Sequence, residues 1–406
     1  MKRLCALLLL LIFLLPSGTM QAEGGAARLE GDGYLSPEDA VTAYLDAMNR
    51  GDVGGMLSTF AIETYVDHVD GLLMVRSAGA YTASRTDAIP VNNPFANAMM
   101  PYARYGGLAT QLQQMYAAYS FDPINPVMLR SLDDLQDFEN RFLQSPLGDL
   151  IGHVEFVEWI NPVQLTQGML LKTQVLRSMA QKAAYLNADD LVEVIAHIRV
   201  SSMDGLQFML CAKYGDRWYN ADFIVFSAMI MGISPMRQVL TLTQSPEEWQ
   251  SLASQLSGND YQDACSQWNA TRNSTLAGTR WQLTKLTAPG YEVFADGEAA
   301  ESSVEKGVWA EMHFLGCGGG LVIIRGSKAA RQELAMNRGD AYVFFAWSEP
   351  DGSLAMADLK PMNKEDISIS PDQITVEMKK DLFSLFGQPT ITLQLDNGIQ
   401  ATFEKR

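Results

Sequence analysis

The first apolar positions at helical spacing follow a capping motif. Ser36-Pro37-Glu38-Asp39 supplies a capping hydroxyl, a proline for the first turn and two acids for the positive end of a helix dipole. Val41, Tyr44, Leu45 and Met48 then recur on one helical face, and Gly51 offers a left-handed close. A second short helix is predicted over 52–60. Over 66–150, Pro90, Pro94, Pro101, Pro123 and Pro126 predict short helices and loops, with helices at 107–118 and at 131–143, the latter capped by Ser131. From His153 the period becomes two. Val154, Phe156, Glu158 and Ile160 alternate with His153, Glu155, Val157 and Trp159, which predicts a strand. A helix follows at 169–185. Strands at 191–200, 206–214 and 218–225, joined by Gly-containing turns, predict an antiparallel meander.

The stretch 234–275 reads as a helical linker, with a helix start at Ser245-Pro246-Glu247-Glu248. Beyond it the pattern is mostly strand: 281–286, 308–314, 321–325, 342–347, 354–358, 390–395 and 400–404, with one short helix at 328–336. Glu349-Pro350-Asp351-Gly352 and Asp396-Asn397-Gly398 are turn signals. The fold class expected is α+β: helices on an antiparallel sheet with helical insertions, then a small β-barrel or sandwich.

The start of the chain changes the compartment. Met1-Lys2-Arg3, an apolar run over 4–15 and a small residue at Ala22 have the order of a secretory signal. The run is shorter than the roughly 20 residues that span a bilayer, and no later stretch is longer. The expected divisions are therefore a signal at 1–22, a flexible leader at 23–35, an α+β unit at 36–233, the linker at 234–275 and a β unit at 276–406. The expected location is secreted or extracytoplasmic, with no membrane span after signal removal.

Composition sharpens this. The chain has 406 residues, is 47% hydrophobic and carries a net charge of −17. Such a chain can bury a core, which excludes disorder. With 30 basic against 47 acidic residues, a nucleic-acid partner is not expected. Losing Lys2 and Arg3 with the signal leaves −19, most of it before residue 276. Cys5 falls in the signal. Cys211, Cys265 and Cys317 allow three single disulfides, or none; Cys211 with Cys265 is the preferred pair.

Two resemblances are carried by particular residues. The opening Ser36-Pro37-Glu38-Asp39-Ala40-Val41, continuing through Leu45-Asp46-Ala47-Met48-Asn49-Arg50-Gly51-Asp52, and the late hairpin Lys213-Tyr214-Gly215-Asp216-Arg217-Trp218-Tyr219 resemble the nuclear-transport-factor-2-like superfamily. That resemblance implies a cone of helices on a curved sheet and a pocket between them. Leu276-Ala277-Gly278-Thr279-Arg280-Trp281-Gln282-Leu283 is similar to the opening strand of bacterial lipocalin-like barrels, although two residues rather than one separate Gly278 from Trp281.

Candidate chemistry is sparse. Asp67-His68-Val69-Asp70 offers an Asp–His pair or a solvated polar turn. His197 falls on a polar strand face with Glu193 and Arg199, facing either solvent or a cone lining. Trp218 and Asp222 are placed on one face, and Trp218 and Tyr219 could floor a ligand pocket or simply pack. Gly316-Cys317-Gly318-Gly319-Gly320 lacks the Lys-Ser/Thr of a phosphate loop and reads as a wide hairpin turn. No metal site and no cofactor are expected, since four histidines stand apart and no catalytic motif occurs. The expected function is an exported, non-enzymatic protein that binds a small molecule, a peptide or an envelope protein. The alternatives are an isomerase, dehydratase or hydrolase of the cone, with Asp67, His68, His197 or Asp222 as base, and a structural cell-envelope protein.

Overall fold

The Ser36 hydroxyl accepts from the Asp39 amide at 3.0 Å and starts α1, Pro37–Asn49. This computed structural model describes residues 28–78, 94–120, 129–145, 148, 152–160, 169–200, 203–223, 240–242, 247, 250, 270–287, 294–295, 307–328, 340–349, 354–361, 374–379, 389–395 and 398–406. The expected signal sequence lies outside them. After α1 come α2 Val53–Ser58, α3 Glu63–His68, α4 Gly71–Ala78, α5 Pro94–Ala98, α6 Met100–Ser120 and α7 Leu132–Gln144. Then follow β1 Val154–Ile160, α8 Met169–Leu186, β2 Asp190–Val200, β3 Met203–Tyr214, β4 Arg217–Phe223 and β5 Leu240–Leu242. The second half contains β6 Thr279–Thr287, β7 Phe294–Ala295, β8 Gly307–Phe314, β9 Gly319–Gly326, β10 Ala341–Ser348, β11 Ala355–Pro361, β12 Ile374–Lys379, β13 Thr390–Leu395 and β14 Gln400–Lys405. The class is mixed α+β.

The capped helices fall where their signals put them. The Asp52 carboxylate accepts from Gly55 at 2.7 Å and Ser131 from Asp134 at 3.2 Å. Helix α6 begins well before residue 107 because Pro101 sits in its first turn, where a missing N–H removes no intrahelical bond. Strands β1–β2–β3–β4 form the expected antiparallel meander, and β5 adds to β3 beyond the end of β4. β5 lies within the stretch expected to be a helical linker. In the second sheet the order is β11-β10-β9-β8-β6-β14-β13-β12, with β7 added to β8. The short strands β7 and β12 were not expected. Among the described residues β11 and β12 do not pair, so the sheet stays open. It buries Trp281, Met312, Phe314, Phe345, Trp347 and Phe403 in a cluster of its own. Among the described residues no second layer lies over that face, and a sheet buries such a cluster by curling.

The first sheet is covered on both faces. Val192, Val194, Ala196, Ile198 and Val200 pack against α1, α2, α6 and α7. The opposite face, with Leu191, Ile195, Phe208 and Leu210, packs against Leu176, Ala180, Ala183 and Leu186 of α8. Beyond α8 lie Leu315, Leu321, Tyr342 and Phe344 of the second unit. Helix α8 is thus wedged between the two sheets. The face of β2 expected to meet solvent or a pocket instead carries buried Glu193 and His197.

Part of the expected flexible leader is docked. The Glu63 carboxylate accepts from the Leu29 and Glu30 amides at 2.8 and 3.1 Å. The Glu30 carboxylate in turn accepts from the Ile62 and Thr64 amides at 2.5 and 3.0 Å. Tyr34 and Trp218 exchange two backbone hydrogen bonds of 2.8 Å.

The glycine-rich segment is the β8–β9 turn, and it seats the second unit on the first. The Gly316 amide donates to Asp190 at 2.7 Å, and the Leu191 amide donates to the same oxygen at 2.8 Å. A Cβ at Gly319 would stand 2.7 Å from the Leu176 carbonyl oxygen of α8. Gly319→Ala should therefore destabilise the chain by about 1–3 kcal/mol through overpacking, measured by urea unfolding; an unchanged midpoint would refute the tight seat.

Burial pushes the Asp190 carboxyl up from its ordinary 3.8 to about 6, against the pull of the Gly316 and Leu191 amides. The folded chain then holds that proton more tightly than the unfolded one. Stability falls as pH rises from about 4 to about 6 and stays lower above that window. Asp190→Asn keeps an acceptor oxygen and cannot ionise. Its stability relative to wild type should rise across the window by about 1–3 kcal/mol. Urea midpoints at the two ends of the window test this, and a constant difference refutes it.

Candidate binding edge of the first sheet

β1 is the outer strand of the first sheet, and among the described residues it pairs only with β2. Val154 and Ile160 are buried at its ends, while residues 155–159 between them are all exposed. Phe156 is 44% exposed, and Val157 and Trp159 are 38% exposed.

A bulge decides what each face of this strand presents. Glu155 pairs with Arg199 and Phe156 with Ile198, then the register slips so that Glu158 pairs with His197 and Trp159 with Ala196. Val157 is the extra residue. Strict alternation would place Phe156 and Glu158 on one face and Glu155 and Trp159 on the other. The bulge sorts them. Phe156 and Trp159 lie together on the helix-covered face, their ring centroids 4.5 Å apart. Glu155 and Glu158 lie on the α8 side.

The glutamates continue a charged chain on that side. Arg199 reaches Glu155 at 3.4 Å and Asp204 at 3.1 Å. His197 Nε2 lies 3.0 Å from Asp204, and its Nδ1 lies 3.5 Å from Glu158. Both ring nitrogens of His197 therefore face carboxylates. At the head of β1, the Asn49 side chain accepts from the Val154 amide at 3.2 Å. An open cleft of about 470 Å³ adjoins it, lined by Asn49, Gly152, His153, Val154, Glu155 and Arg199.

The other sequence candidates are elsewhere. Asp67 and His68 end α3 and are exposed. His68 Nδ1 lies 2.8 Å from the Thr64 carbonyl, and its ring lies 4.8 Å from that of Tyr214. Tyr214 is eight residues along β3 from Leu206, the partner of His197, roughly 26 Å at the rise of a strand. Asp222 forms an ion pair with Lys182 of α8 at 2.8 Å. Trp218 and Asp222 do not share a face, because Ala221 is bulged: Asn220 pairs with Cys211 and Asp222 with Leu210. Trp218 is buried in the helix-side core and Tyr219 in the α8-side core, so the two do not floor one pocket. The helix-side space of the expected cone is filled by Tyr44, Met48, Phe60, Tyr105, Leu108 and Met209.

Cys211 is a free, buried thiol, 3.4 Å from the side-chain Oδ1 of Asn220. Cys265, its expected partner, lies outside the described residues. Cys317 is also free and buried. Among the described residues no three His, Cys, Asp or Glu side chains converge as a metal site, and no helix is long and apolar enough to cross a membrane.

Sequence reasoning passed over Phe156, Trp159, Glu155 and Glu158 as a group. The available signal was Glu158 itself, a carboxylate in line with Phe156 and Ile160 on a face that alternation makes apolar.

No family model matches the chain, and no curated protein matches it in sequence. Among solved structures, a cystatin-like protein from Ruminococcus gnavus ATCC 29149 is similar at a TM-score of 0.29 and 10% identity, over 80% of this chain and 88% of that one.

Removing the shared acceptor should unsettle the edge. Asp204→Ala leaves Arg199 and His197 without that carboxylate and should cost about 1–3 kcal/mol in urea unfolding. A loss near zero would show that the chain of charges does not hold β1 to β2 and β3.

Proposed function

We propose that this chain is an exported binding protein that engages its ligand along β1. Its first unit is built as a nuclear-transport-factor-2-like cone and is joined to a curled β unit. The observation that carries the reading is the run of exposed residues 155–159 on the edge of a sheet whose neighbouring strand β2 is buried on both faces. Two aromatic rings and a valine left in water beside an open cleft are the mark of an interaction site rather than of a core. Export is supported by the signal-like order of residues 1–22. A binding role is favoured over an enzymatic one because the Asp67–His68 end of α3, His197 and Asp222 lie at separate places, with His68, His197 and Asp222 each engaged with their own neighbours.

Two measurements test this. Cell fractionation with N-terminal sequencing should find a processed chain outside the cytoplasm; an intact cytoplasmic precursor overturns the export reading. Panning a library of short peptides and small molecules should enrich ligands on wild type that a Phe156→Ser, Trp159→Ser double variant does not retain. Equal retention by the two proteins, or an empty wild-type selection, overturns the binding edge.

A further inference from the structure

Resting on that reading, we infer that the occupant of the β1 edge is an extended cationic peptide, added as a further strand, with apolar residues alternating with Lys or Arg. A strand beside β1 sends successive side chains to opposite faces. One face of the edge displays the Phe156 and Trp159 rings. The other displays Glu155 and Glu158, 68% and 62% exposed. The side chains of an added strand meet these two rows in turn, apolar against apolar and cation against carboxylate. The Val157 bulge is what makes the two rows pure.

The charge balance on the α8 side selects the sign. At the β1 edge of that side the linked groups are Glu155, Glu158, Asp204, Arg199 and His197, while Glu193 lies further along the same face of β2 and is buried. Three carboxylates meet one permanent cation, and Arg199 already divides itself between Glu155 and Asp204. The chain as a whole carries −17, which draws a cationic partner and repels an anionic one. The same balance disfavours a second copy. Antiparallel self-pairing would bring the glutamates of two acidic chains into one interface, where each copy's Arg199 is already shared between its own Glu155 and Asp204. Residues 155–159 span about 17 Å, room for a peptide of roughly five to seven residues.

The probes are fluorescein-labelled Lys-Val and Glu-Val alternating peptides, a block-scrambled Lys-Val peptide, and a Lys-Val peptide N-methylated on alternate residues. Anisotropy on the full chain should show binding of the alternating Lys-Val peptide that weakens as salt rises. Scrambling or N-methylation should abolish it, because strand pairing needs the alternation and the amides. Glu155→Gln with Glu158→Gln should lower the affinity about tenfold, and circular dichroism should show that variant folded. N-methylation changes only the peptide, so it reads strand pairing on the unaltered protein. Equal binding of the Glu-Val peptide overturns the cationic partner and leaves the edge standing. Binding of all peptides unaffected by Phe156→Ser with Trp159→Ser, or no binding at all, overturns both. A wild-type dimer by light scattering that becomes monomeric in that variant assigns the edge to a second copy and overturns the peptide.

Discussion

The middle of the first sheet, β2 and β3, is buried on both faces, and most of the molecule follows from that. Its helix side carries β-branched and small residues because α1, α2, α6 and α7 cover it. Its other side must be closed as well, and a single helix is too narrow to close it. Helix α8 covers the middle, and the outer face of the second sheet completes the cover through Leu321, Tyr342 and Phe344. The second unit is therefore part of the first unit's core. Small residues recur on α8 where it is pressed between sheets, at Ala180 and Ala183, and glycine recurs in the β8–β9 turn because backbone meets backbone there.

Polar groups at this junction set the geometry of docking more than its strength. Asp190 accepts two amides, one from each unit, yet its charge is held where water cannot reach. Around it, Asp189 binds Arg280 at 2.9 Å, and the buried Glu311 bonds to His313 and to Arg406. Burying such groups costs desolvation that their pairing offsets only with good geometry. A shift of the second sheet along α8 would break the Asp190 bond and strand a carboxylate. Apolar contacts alone would tolerate the shift far better. Register between the units is thus specified by charge, while affinity comes from the apolar layer.

The sequence was legible wherever the cause of a structure is local. The α1 cap, the meander and the β8–β9 turn rest on neighbours a few residues apart. Reading stopped where the cause is distant. Nothing near Glu30 announces that it will cap the chain at Ile62 and Thr64. Alternation in β2 distinguishes two faces but not water or a pocket from a second protein layer, so the face of His197 and Glu193 reads as solvent or cone lining. The two errors of face have one origin. A single extra residue, Val157 in β1 and Ala221 in β4, moves every later side chain to the other side of its strand. A bulge leaves the composition of a strand unchanged, and period counting is blind to it.

That blindness matters most at β1, because the bulge there has two effects at once. An exposed strand with three apolar residues is a template for aggregation, and proteins blunt such edges with bulges and charge. Val157 and the two glutamates do this for β1. Sorting rings from carboxylates also gives the edge a polarity across its width that a regular strand of this sequence would lack. A regular strand would mix a glutamate with an aromatic on each face and discriminate poorly among incoming strands. The bulged one presents an incoming strand with two faces that differ in kind. The irregularity that blunts this edge and the separation of its rings from its carboxylates are the same one-residue slip of register.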